Sequence, residues 1–218
     1  MTLTEFGVQF DILYNNISSN QAPGLSEYEK SVFLTQAQEA VILDLYKGTA
    51  GDSFETTEEV TRYLSSLVKE KVTVNLSQSV VDYYKSNIKI TQITLPEDVL
   101  FVTYQSAYSG TKNVLVLPAR QDSLFKDLNN PFRGPSKNTA ICLSEGSYLK
   151  LYSKCTIDTH ILKYISKPYP IILEGAYDES NLTINNQTES KEVDWLPESL
   201  HTQILLRAIQ IAKAVWQS

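Results

Sequence analysis

The groups in this chain best suited to chemistry are few. Cys142 and Cys155 supply its thiols, and His160 and His201 its imidazoles. A thiol beside an imidazole makes an activated nucleophile, and Cys155 and His160 are close enough in sequence to raise that reading. Five residues apart, they point to opposite faces if the stretch is one regular strand. The expectation is therefore that Cys155 is a small buried hydrophobe and His160 a loop residue. A zinc site built from His and Cys needs all four of these widely spaced residues to converge, so no metal is expected. His201, near the start of a helix, reads as a surface or packing residue.

Carboxylates recur in pairs at Glu58-Glu59, Glu97-Asp98 and Asp178-Glu179. Two carboxyls flanking a bond can hydrolyse a glycoside. Glu58 and Glu59, however, sit in the first turn of an expected helix, where negative charge offsets the macrodipole. Glu97 and Asp98 follow Pro96 in a turn. The sequence contains no G-x-x-x-x-G-K-S/T loop, no G-x-G-x-x-G fingerprint, no H-E-x-x-H helix and no G-x-S-x-G elbow. The expectation is a protein without catalysis and without a cofactor.

The elements that position these groups can be read from composition and period. The chain has 218 residues, 42% of them hydrophobic and 20% charged, which suffices for a core and argues against global disorder. Its net charge is −6, and its 19 basic residues are scattered, so no basic face for nucleic acid is visible. The 13 tyrosines suit strands and half-buried contact surfaces equally. The first ten residues show no basic n-region and no apolar run approaches the ~20 residues of a membrane span. The reading is a protein made in a reducing cytoplasm, with no membrane partner.

Three capping boxes, Thr2/Glu5, Ser26/Glu29 and Thr56/Glu59, announce three helices in the first 70 residues. Apolar stripes follow each: Phe6, Phe10, Leu13 and Ile17; Leu34, Ala37, Val41 and Leu45; Val60, Tyr63, Leu64, Leu67 and Val68. The middle changes period. Val72–Leu76, Ile88–Ile90, Val99–Tyr104, Val114–Leu117, Tyr148–Tyr152, Ile161–Ile165 and Ile171–Leu173 read as short strands. No strand–helix–strand alternation is evident, so an antiparallel sandwich or partial barrel is expected. A final helix carries Leu200, Ile204, Ala208, Ile211 and Val215 on one face after Pro197. The fold class is α+β: a helical body from residues 1–70 and 194–218, with an inserted β-rich domain at 71–193.

Residues 118–137 stand apart as an extended arm with few strand signals. Gln121 to Leu128 is expected to form a short helical turn, and Leu124, Phe125, Leu128 and Phe132 to serve as its apolar anchors. A segment of this length inside a compact domain is usually functional, so the arm is a candidate contact element.

The stretches Asp11-Ile-Leu-Tyr-Asn-Asn-Ile17, Asn20-Gln-Ala-Pro-Gly-Leu25 and Glu27 to Glu39 resemble an N-terminal signature of virion proteins in crAss-like tailed bacteriophages. Asn130-Pro-Phe-Arg-Gly-Pro-Ser-Lys137, Tyr164 to Leu173 and Leu196-Pro-Glu-Ser-Leu-His201 resemble later parts of the same pattern, in the same order. The resemblance implies a neck ring, or head–tail connector, in the virion. Such a protein is structural and forms a ring of about twelve copies, set by portal symmetry. Its partners would be the portal and neighbouring tail or neck ring proteins. DNA would pass through the channel without specific binding and leave at genome ejection. On that reading Phe125, Phe132 and Arg133 of the arm, with Tyr28 and Trp216, are the contact residues. The rival reading is another virion binding module: a tail-hub, cargo-associated or carbohydrate-binding β-protein, with Tyr83, Tyr84, Tyr104 and Tyr108 as its aromatic platform.

Overall fold

The computed structural model describes residues 1–17, 24–47, 58–80, 88–176, 183–190 and 197–216. The chain divides into two compact units, Met1–Leu67 with Lys167–Ser218, and Val68–Ser166.

The first unit is helical. Helix α1 spans Leu3–Ile17 and α2 spans Glu27–Lys47. Each begins at its expected capping box. The Thr2 N–H donates to Glu5 Oε2 at 2.8 Å and the Glu5 N–H to Thr2 Oγ1 at 3.3 Å. Ser26 and Glu29 exchange the same two bonds at 2.8 and 3.3 Å. Orphan amides at both helix starts are thereby satisfied. Thr56 of the third box lies outside the described residues; α3 spans Glu58–Leu64 and passes into a 3₁₀ turn at Ser65–Leu67.

The C-terminal helix of this unit packs on α2. Its buried apolar residues are Leu200, Ile204, Leu205, Ala208, Ile209 and Ala212. This is the i, i+4 row from Leu200 with its neighbours. The expected stripe drifts off that row at its end, and Val215 is 59% exposed. Phe6 and Phe10 of α1 are fully buried, and the Phe6 ring lies 5.2 Å from that of His201. Segments from the two ends of the chain thus share one helical core.

Ile171–Leu173, expected to be a strand, joins no sheet. It lies buried in the helical unit, with hydroxyls of α2 in place of a neighbouring strand. Thr35 Oγ1 accepts from the Ile171 N–H at 3.2 Å, and Ser31 Oγ accepts from the Leu173 N–H at 2.9 Å. The buried backbone donors are satisfied without a ladder.

The second unit is a mixed, curled half-barrel sheet of eight strands. In chain order these are β1 (Val68–Val74), β2 (Gln78–Val80), β3 (Lys89–Thr94), β4 (Val99–Ser109), β5 (Lys112–Ala119), β6 (Thr139–Glu145), β7 (Tyr148–Ser153) and β8 (Thr159–Ser166). Their spatial order is β1-β8-β4-β5-β6-β7-β3-β2. Two register shifts in β4 supply local bending of the kind that curls a sheet. The curl gathers Ile93, Ala107, Val114, Leu149, Leu151 and Leu162 into one core.

Every pairing is antiparallel except that of β5 with β6, which is parallel, from Leu115↔Thr139 to Ala119↔Leu143. Parallel neighbours need a crossover. Residues 120–138 provide it, and they contain α4 (Leu124–Leu128). The absence of strand–helix–strand alternation therefore fails at this one place. The arm is the crossover of a β–α–β unit; α4 lies within the helical turn expected at Gln121–Leu128, and the strand that follows it, β6, is the element the sequence did not show.

Candidate assembly interface

The arm is an ordered element, and its order follows from its residues. Leu124 and Leu128, one turn apart on α4, are buried at 8% and 7% exposure against Ile141, Leu143 and Tyr152 of the sheet. The same helix must then turn Phe125 outward, where it is 72% exposed. Phe132 is 96% exposed. The four expected anchors thus divide into two that hold the arm and two that project from it.

The turn carrying Phe132 is tightly wired. Asn130 Oδ1 accepts from the Phe132 N–H at 2.9 Å and the Arg133 N–H at 3.2 Å, an Asx turn. The Gly134 N–H donates to the Asn130 carbonyl at 2.7 Å. A Cβ at residue 134 would collide with that carbonyl oxygen, so only glycine fits this approach. An aromatic ring is therefore held out in solvent on a fixed scaffold.

Beside it lies an open cleft of about 530 Å³ lined by Leu117, Ala119, Arg120, Asp127, Arg133 and Ile141. Asp127 is engaged by the Ser123 hydroxyl at 2.8 Å. Among the described residues neither the Arg120 nor the Arg133 guanidinium has an ion-pair partner. Two guanidinium groups and two exposed aromatic rings thus lie on one short segment.

The other contact candidates fall elsewhere. Tyr28 is half-buried over Ile172, Ala176 and Ile184, where it covers a core. Trp216 ends the C-terminal helix, and its side chain lies outside the described residues. Tyr104 is 51% exposed, while Tyr83 and Tyr84 lie outside the described residues.

The structure corrects the placement of His160. His160 is a fully buried residue of β8 and no loop residue. Its Nε2 lies 3.4 Å from Gln105 Oε1, and Cys142 Sγ lies 3.3 Å from the same oxygen. The thiol near His160 through Gln105 is thus Cys142, while Cys155 packs half-buried on the sheet core. Burial pushes the Cys142 thiol up to about 11 and the His160 imidazole down to about 4. A nucleophilic pair needs the opposite: a thiolate, a basic imidazole and access. His201 is buried in the helical unit, with Nδ1 2.9 Å from the Met1 amino group. Among the described residues, no group of three His, Cys, Asp or Glu side chains is arranged to hold a metal. No helix among them is long and apolar enough to cross a membrane.

Comparison with known proteins gives consistent results. Residues 1–218, the whole chain, match the family described as phage tail ring protein 3/4. The chain is 38% identical over 224 residues to "Ring protein 3" of Bacteroides phage crAss001, covering 97% of this chain and 95% of that protein. It is 30% identical over 228 residues to "Ring protein 4/5" of the same phage, covering 100% of this chain and 94% of that one.

Proposed function

The chain belongs to the crAss-like phage tail ring protein 3/4 family, structural virion proteins and not enzymes, and from that membership we propose that it is a neck ring of the virion, a head–tail connector. In this reading about twelve copies close into a ring that matches portal symmetry. The ring sits between the portal and the next tail or neck ring protein and surrounds the DNA channel. The observation that carries the reading is the family match over the full chain.

Charge supports the same role. Copies of a −6 chain in such a ring sum to roughly −70, a collar that repels phosphate and lets DNA slide without adhesion. Asp44 and Glu58 are exposed and available to face a lumen.

Antibody labelling of intact particles tests the position. Label confined to the junction of head and tail is the expected result. Label on the tail tip or fibres would exclude a connector and favour a receptor- or glycan-binding module.

A further inference from the structure

A ring closed by rotation needs two different patches on each copy, one complementary to the other. The arm is one such patch. Residues 118–137 hold four basic residues (Arg120, Lys126, Arg133 and Lys137) against two acidic ones (Asp122 and Asp127), a net +2. The other 198 residues therefore carry −8. A cationic aromatic segment on so acidic a chain finds its complement most readily on a second copy.

The helical unit offers a matching surface. A cleft of about 230 Å³ is lined by Gly7, Val8, Asp11, Glu27, Leu173 and Glu174. Val8 is 55% exposed, and Ile12, one turn further along α1, is 53% exposed. This apolar pair faces solvent on a helix whose other side is core. Lys30 bridges Asp11 and Glu27 at 2.8 Å each, which leaves the cleft with a net negative charge. Glu174 is exposed, and among the described residues its carboxylate has no ion-pair partner.

We propose that the arm of one copy docks on this α1 cleft of the next, with Phe132 covering Val8 and Ile12 and Arg133 pairing with Glu174. The junction is head-to-tail, the arrangement that a cyclic ring requires. The proposal rests on the ring reading above and adds its copy-to-copy contact.

The test is a charge exchange on the full chain, read by sedimentation velocity over a range of concentrations. Arg133→Glu and Glu174→Arg alter exposed side chains, so their thermal melts should match wild type. Each variant alone should self-associate on the order of a hundredfold more weakly per junction, because an attraction becomes a like-charge contact. An equimolar mixture should regain assembly, since each variant's arm then meets an opposite charge on the other's cleft. If wild type assembles and both variants assemble equally well, the junction is wrong and the ring reading stands. Wild type that stays monomeric at every concentration overturns the ring reading itself. Loss of binding to a labelled DNA duplex in Arg133→Glu, with assembly unchanged, would assign the arginine to phosphate and overturn the proposal.

Discussion

At the scale of single residues, the most informative groups are polar side chains placed where water cannot reach. His160 is neutral in the folded chain because burial disfavours its cation. Its ordinary value is 6.5 and its folded value about 4, so the unfolded chain takes up a proton first. Stability from this group is intact above about pH 6.5 and is lost progressively as pH falls toward 4. The loss amounts to roughly 3 kcal/mol across that window. Urea unfolding at successive pH values should show this decline, and His160→Leu should flatten it. Gln38 is a second case. It is fully buried, and among the described residues its side-chain oxygen and nitrogen have no hydrogen-bond partner. Gln38→Leu removes that desolvation cost and should stabilise the chain by about 1–3 kcal/mol, seen as a higher Tm. An unchanged or lower Tm would mean that the amide is satisfied in solution.

At the scale of elements, the structure separates what local chemistry encodes from what distant partners decide. Helices α1 and α2 were legible because a capping box and its apolar stripe lie within a few residues of each other. The strand β6 was not. Ala140, Ile141, Cys142 and Leu143 are all buried, since the sheet core lies on one face and α4 on the other, and burial on both faces erases alternation. Ile171–Leu173 failed the other way: a short apolar run looks like a strand, yet its backbone partners are hydroxyls well over 100 positions away. The arm was legible as a segment apart from the strands, but Phe125 and Phe132 read as anchors because residue type alone does not tell an inward ring from an outward one. The i, i+4 spacing of Leu124 and Leu128 was the available signal. The C-terminal helix permits a direct check. Ala208 and Ala212 have no exposed surface, so Ala208→Glu buries an unpaired charge at a cost of several kcal/mol. Loss of cooperative unfolding and of soluble yield is expected, whereas Arg207→Glu, one residue away on the exposed side, should be tolerated.

At the scale of the whole molecule, the account joins a ring-protein chain to a specific means of closing the ring. Both patches are finished in a single copy: the arm is braced by Leu124, Leu128 and the Asn130–Gly134 turn, and the α1 cleft is shaped by the Lys30 bridge. Assembly then needs little rearrangement, which keeps its entropic cost low. The most direct measurement is an image reconstruction of the intact particle at side-chain resolution. The account predicts a closed ring of about twelve copies at the neck, each Phe132 seated on the α1 helix of its neighbour and each Arg133 beside that neighbour's Glu174. A ring whose copies meet through other surfaces, with Phe132 bare or turned toward DNA, would contradict it.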